Sequence, residues 1–243
     1  MSKHYLMARW LMTVALLALL PGSGWAGIRV GVAGPFTGQA VFRGEQLQQG
    51  AELAVADLNR SGGVLGQQVE LLIADDACDA EQGVAVAHKL VRDEVALVVG
   101  HACSHASIPA SKVYQSAGVV MMSPASTNPN LTDQGNDTVF RMCGRDDDQG
   151  RVAGGYLAEH WADDRIAILH DGTVYGQGLA KVVEATLKQH GVKPRIFRAY
   201  PPGARDYSTL VDELKAQRIG VAYIGGYAAE AALIVRQARD RGV

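Results

Sequence analysis

The sequence predicts an α/β fold of parallel sheets with helices on both faces, and three observations carry that expectation. First, seven short apolar runs recur along the chain: IRVGVAG (28–34), VELLIAD (69–75), VALVVG (95–100), VVMMS (119–123), RIAILHD (165–171), RIFRAY (195–200) and GVAYIGG (220–226). Runs of this length read as strands buried on both faces of a sheet. Second, the stretches between them place apolar residues at three- and four-residue spacing, the mark of amphipathic helices. Third, Gly, Pro and Asp cluster where one period gives way to the other. Strand and helix in alternation mean βαβ units.

Each element has its own signal. ELAVADLNRSGG (52–63) ends on a glycine pair suited to a left-handed cap. Asp79 and Gln82 have capping-box spacing ahead of GVAVAHKLV (83–91). YGQGLAKVVEATLKQHG (175–191) and YSTLVDELKAQ (207–217) carry clear helical periodicity. The rhythm breaks once, over SPASTNPNLTDQGNDTVFRMCGRDDDQG (123–150), where the short run VFRMC reads as a strand crossing between two domains. A boundary near Cys143–Arg145 divides the chain into a first lobe, 27–144, and a second lobe, 145–243. The chain closes on a helix, RQARDRGV, without the strand that would follow it, so its C-terminal part is expected to be missing.

Residues 1–26 read as a signal peptide. Lys3 and Arg9 precede an apolar run, WLMTVALLALL (10–20), that is too short to span a bilayer, and Pro21-Gly22 breaks it before the small residues Gly24 and Ala26. Export to the periplasm follows from that reading. The 243 residues carry 23 Lys and Arg against 25 Asp and Glu, and loss of Lys3 and Arg9 leaves a formal charge of −4, which argues against a nucleic-acid partner. With 48% hydrophobic residues the chain can bury a real core.

The stretch GHACSHASIP (100–109) follows the third strand and concentrates His101, Cys103, Ser104 and His105. As a metal site it lacks a fourth ligand at any recognisable spacing. As a nucleophile with its base it lacks a G-x-S-x-G turn, and Ser104 and His105 diverge on a helix. A third reading is structural: Cys78 follows the second strand as Cys103 follows the third, at the same sheet edge, where two such loops can come within disulfide range. Cys143 is then the odd thiol, a small apolar residue at a strand end. Ser104 opens the helix SHASIPASKVYQ, as an ordinary N-cap or as a donor to an anion at the helix N-terminus. SPASTNP delivers the Ala125 carbonyl and the Thr127 hydroxyl to the same edge, with Pro124 and Pro129 keeping the backbone extended. Ligands of open parallel sheets bind at that edge.

Taken in order, GGVLGQQVELLIADDACD, VVGHACS, SPASTNP, FRMCGRDDDQG, HDGTVYGQGLA, DYSTLV and YIGGYAAEAALIVRQAR resemble the periplasmic leucine/isoleucine/valine-binding proteins of bacterial ABC importers, from Ile28 to Val243. The resemblance implies the two-lobed type I periplasmic binding fold, no catalysis, no cofactor or metal, and a monomer that hands a branched-chain or related aliphatic amino acid to a membrane permease. It implies that Ser104 and Thr127 bind the ligand's carboxylate, that the Ala125 carbonyl and Thr127 bind its ammonium, and that Tyr175 and Tyr227 close over it from the second lobe. It also implies a Cys78–Cys103 disulfide. The pattern departs at Phe42 and Arg43, where an aromatic is expected in the first long loop, at His105 and Ala106, which replace small hydroxyl residues, and in an acidic ammonium ligand expected beyond Val243. A sensor for amides on the same fold and an exported enzyme using GVAGPFTG (31–38) as a phosphate loop are the alternatives; the latter lacks G-x-G-x-x-G and a following Lys-Ser/Thr.

Overall fold

The structure is a computed structural model that describes residues 27–243. The expected signal peptide, residues 1–26, lies outside the described residues. Strands and helices alternate in the order β1 (Ile28–Gly34), α1 (Val41–Arg60), β2 (Val69–Asp75), α2 (Ala80–Arg92), β3 (Leu97–Gly100), α3 (Ser104–Ala117), β4 (Val120–Ser123), α4 (Asn130–Asp133), β5 (Val139–Arg141), α5 (Asp146–His160), β6 (Ile166–His170), α6 (Val174–Gln189), β7 (Ile196–Ala199), α7 (Ser208–Ala216), β8 (Val221–Gly225) and α8 (Ala228–Asp240). All seven apolar runs become strands. VFRMC supplies an eighth, but it does not span two domains: Val139–Arg141 pairs in parallel with Met121–Ser123, and the chain passes to the second sheet only afterwards.

Two parallel sheets result, one in the order β2-β1-β3-β4-β5 and one in the order β7-β6-β8. The first packs Val98 and Met121 against Val86, Ala87 and Leu90 of α2 and Ala110 and Tyr114 of α3. In the second, every residue of β6 is buried. Ala167 and Leu169 face one cluster with Tyr200, Tyr207 and Ile234, while Ile166 and Ile168 face another with Leu157, Val183 and Leu187. A strand covered on both faces has no reason to alternate, which is why ILH and its neighbours read as a continuous apolar run.

Capping follows the sequence only in part. Asp79 caps α2, its Oδ1 accepting from the Gln82 N–H at 2.8 Å. The reciprocal half of the box is absent, because Gln82 Nε2 instead donates to the Asp75 carbonyl at 2.7 Å and ties the helix to the end of β2. Cys103, not Ser104, is the N-cap of α3, and Ser104 is its first helical residue.

Cys78 and Cys103 form a disulfide with Cα atoms 5.4 Å apart. Their strands are not neighbours, since β1 lies between β2 and β3. The two loops meet across the end of β1, and the Asp76 N–H donates to the Gly34 carbonyl there at 2.9 Å. The bridge closes a loop of 25 residues, which in the chain-entropy account corresponds to about 3.5 kcal/mol. Urea unfolding with and without reductant should therefore differ by about that amount; a coincident pair of curves would show that the bridge does not stabilise the fold.

Candidate functional site

Both sheets reverse their strand order, the first between β1 and β3 and the second between β6 and β8. At such a switch point the loops leaving adjacent strands diverge to opposite faces and open a crevice at the carboxyl edge. The crevice of one sheet faces that of the other. The loops after β1, β3 and β4 form one wall, and those after β6 and β8 form the other.

The first wall is set by a buried chain of polar groups. His101, with no exposed surface, places Nδ1 2.6 Å from Asp76 Oδ2 and Nε2 3.0 Å from the Tyr114 hydroxyl. Asp76 Oδ1 accepts from the Cys78 N–H at 2.8 Å. The His101 carbonyl accepts the hydroxyls of Ser123, Ser107 and Ser126 at 2.6, 3.1 and 3.2 Å. His101 is thus wholly engaged in joining the ends of β2, β3 and β4, and Cys103 is in the disulfide, so neither is free for a metal. Burial, together with the Asp76 charge, holds the Tyr114 phenol far above its usual range and so neutral.

On this scaffold the structure brings all five candidate residues together. Ser104, Ala125, Thr127, Tyr175 and Tyr227 line one cavity of about 200 Å³, with Arg43 and Ala102. The Ser104 hydroxyl oxygen, buried at the first turn of α3, accepts from the Asn128 N–H at 3.2 Å and keeps its proton to donate. The loop holding Ala125 and Thr127 is less open than its prolines suggest. Arg141 donates to the carbonyls of Ser126, Asn128 and Pro129 at 2.9, 3.0 and 3.2 Å, the Asp146 N–H takes that of Thr127 at 3.0 Å, and Pro129 is helical because it begins α4. The Ala125 carbonyl accepts none of these bonds. Tyr175, in the first turn of α6, and Tyr227, capping α8, meet with ring centroids 5.2 Å apart and planes tilted by 38°. Asn128 Nδ2 donates to the Val174 carbonyl at 2.8 Å and joins the two walls.

Two carboxylates beside the cleft escaped the sequence reading. Asp146 has no exposed surface, and neither of its oxygens has a hydrogen-bond partner. Burial pushes its carboxyl above the ordinary range; the Thr127 hydroxyl and Arg141 draw it back, Thr127 without satisfying either oxygen in normal geometry. Asp171, 4% exposed, accepts from the Thr173 N–H and hydroxyl through Oδ1 at 2.9 and 2.7 Å, while Oδ2 has no partner. The remaining unpartnered buried side-chain atoms among the described residues are Arg43 Nε, His105 Nδ1 and the Tyr200 hydroxyl. Asp146 stood inside the acidic run RDDDQG, which looks like a solvated helix start. Asp171 ended an apolar strand, and only its depth distinguishes it.

Comparison with known proteins agrees with this architecture. The family described as "Periplasmic binding protein" matches residues 27–243. The chain is 44% identical to a Leu/Ile/Val-binding protein homolog 1 of Brucella suis over 95% of its own length and 62% of the relative's. It is 42% identical to the leucine-, isoleucine-, valine-, threonine- and alanine-binding protein of Pseudomonas aeruginosa, over 89% of this chain and 58% of that one. Among solved structures, the branched-chain amino acid transporter substrate-binding protein of Streptococcus pneumoniae, in complex with isoleucine, superposes with a TM-score of 0.77 at 28% identity, covering 89% of this chain and 62% of that one. The chain thus spans about six tenths of the length of the curated relatives it matches. Two parallel sheets facing each other across their switch points, over the whole matched length, place the chain in the periplasmic binding protein family.

Proposed function

We propose that this protein is an extracytoplasmic solute-binding component of an ABC importer that captures an α-amino acid, of the branched-chain or a related class, between two lobes that meet near residue 144. The observation that carries the reading is the convergence of Ser104, Ala125, Thr127, Tyr175 and Tyr227 on one small cavity beside an unpartnered, buried Asp146. The N-terminus of α3 and the Ser104 and Thr127 hydroxyls suit a carboxylate. The Ala125 carbonyl, Thr127 and Asp146 suit an ammonium. Asp146, buried beside Thr127, is the acid that the described residues offer for the ammonium. The relatives are binding proteins rather than enzymes, which supports capture and release instead of catalysis.

Charge-assisted hydrogen bonds contribute about 1.5–3 kcal/mol each, as much as burying an entire aliphatic side chain. Several such bonds to the zwitterion therefore dominate affinity, and the side chain selects among ligands. Ligand held by the first wall completes the second, so contacts from Tyr175 and Tyr227 favour the closed form that a permease recognises.

Two measurements test this. Ser104→Ala combined with Thr127→Ala should abolish amino-acid binding by calorimetry in the full chain, and unchanged affinity would refute the carboxylate grip. Asp146→Asn should separate binding from stability. It should weaken binding roughly 10- to 100-fold. It should also stabilise the unliganded protein at pH 7 by about 1–3 kcal/mol, because a buried, unsatisfied charge is removed. A carboxyl raised in the folded state costs stability as pH climbs above its ordinary value of 3.8 and costs nothing below it. The gain should accordingly vanish in acid; a gain independent of pH would place the effect elsewhere.

A further inference from the structure

Beside the zwitterion pocket lies a second compartment of about 440 Å³, and Arg43 and Tyr227 line both. Most of its wall is apolar, from Phe42, Ala40, Ala77, Pro202, Ala228 and Ala229. Three charged groups, Arg43, Asp171 and Glu230, interrupt it. The Arg43 guanidinium lies 5.4 Å from the ring centroids of both Phe42 and Tyr227, so its faces are covered and its N–H edge is left for an acceptor. It makes no hydrogen bond or ion pair among the described residues, and Nε is buried without a partner. From the opposite wall come Asp171, with Oδ2 buried and unpartnered, and Glu230, 8% exposed, whose Oε1 accepts from the Gly203 N–H at 3.1 Å. The neighbouring backbone makes room for them: a Cβ on Gly226 would stand 3.0 Å from Asp171 Oδ2 and would collide with the Tyr200 hydroxyl.

Each class of side chain meets these groups differently. An aliphatic one leaves a guanidinium and a carboxylate desolvated and unpaired when the cleft closes, an expensive outcome. An anionic one satisfies Arg43 but sets its charge against Asp171 and Glu230. A cationic one satisfies the acids and faces Arg43. A neutral carboxamide carries an acceptor oxygen for the guanidinium and an NH₂ donor for the carboxylates. We infer that this compartment is a side-chain subsite for an amino acid ending in a carboxamide, with Arg43 as the residue that sets the preference. The inference rests on the amino-acid reading of the adjoining pocket and sets a carboxamide where that reading places an aliphatic side chain.

Calorimetry on the full chain with glutamine, asparagine, leucine, glutamate and lysine tests it, alongside Arg43→Leu. The wild-type protein should bind glutamine or asparagine at least about tenfold more tightly than leucine. Arg43→Leu should erase or invert that ratio, whatever it does to the affinity for the shared backbone of the ligands. Tighter wild-type binding of leucine, glutamate or lysine would overturn the inference even if the variant failed to fold, as would a ratio indifferent to Arg43→Leu; in all these cases the amino-acid reading itself would survive. A wild-type protein that binds none of the twenty amino acids would refute both.

Discussion

The cleft depends on one buried constraint: the His101 ring and carbonyl hold the ends of three strands in register. The imidazole spans Asp76 and Tyr114, and three serine hydroxyls close on the carbonyl behind it. These groups are out of water, where a hydrogen bond is electrostatically stronger and an orphaned partner is costly. The loops after β2, β3 and β4 can therefore not move independently. The disulfide spans the same two loops as the Asp76–His101 contact. It restrains the unfolded chain, whereas the polar chain selects one arrangement of the folded one. Ser104 and Thr127 inherit their positions from it: Ser104 stands three residues before Ser107 and Thr127 one after Ser126, both bonded to the His101 carbonyl.

Against that satisfied scaffold, the unsatisfied atoms stand out. Buried polar groups in folded proteins nearly always have partners. Here the exceptions among the described residues come from Arg43, His105, Asp146, Asp171 and Tyr200. Arg43, His105 and Asp171 line the compartments between the sheets, Asp146 flanks Thr127, and Tyr200 crowds Gly226 beside Asp171. A site shaped for a polar ligand must hold its donors and acceptors open, so the same atoms that cost stability when the cleft is empty give affinity when it is filled.

Much of the fold was legible because its strands are buried on both faces. Such strands write themselves as apolar runs, and β1 and β2 carry the bounds that IRVGVAG and VELLIAD predict. VFRMC misled because a three-residue edge strand carries too little pattern to say which sheet it joins. The five residues gathered at the cleft were legible from their place after strand ends and from the family pattern. Asp146 and Asp171 were not, since nothing in a sequence separates a carboxylate that faces solvent from one folded under a tyrosine. The capping box failed halfway for a related reason: Gln82 found a stronger tertiary partner in the end of β2 than in its own helix.

On the proposed reading, the two switch points are what let opening and closing be the working motion. Each sheet presents a preformed set of loops, and the contacts that join them at the cleft include Asn128 on the first turn of α6, Arg43 over the Tyr227 ring and the Asp146 N–H on the Thr127 carbonyl. Neutral hydrogen bonds contribute about 1 kcal/mol each, and opening the cleft would hydrate Arg43, Asp146 and Asp171, which are costly to keep buried without partners. In that reading, a ligand that satisfies those groups removes the advantage of opening and adds Tyr175 and Tyr227 to its own contacts. On the proposed reading, closure is thus governed less by attraction between the lobes than by the ligand's ability to quiet the charges they would otherwise bury.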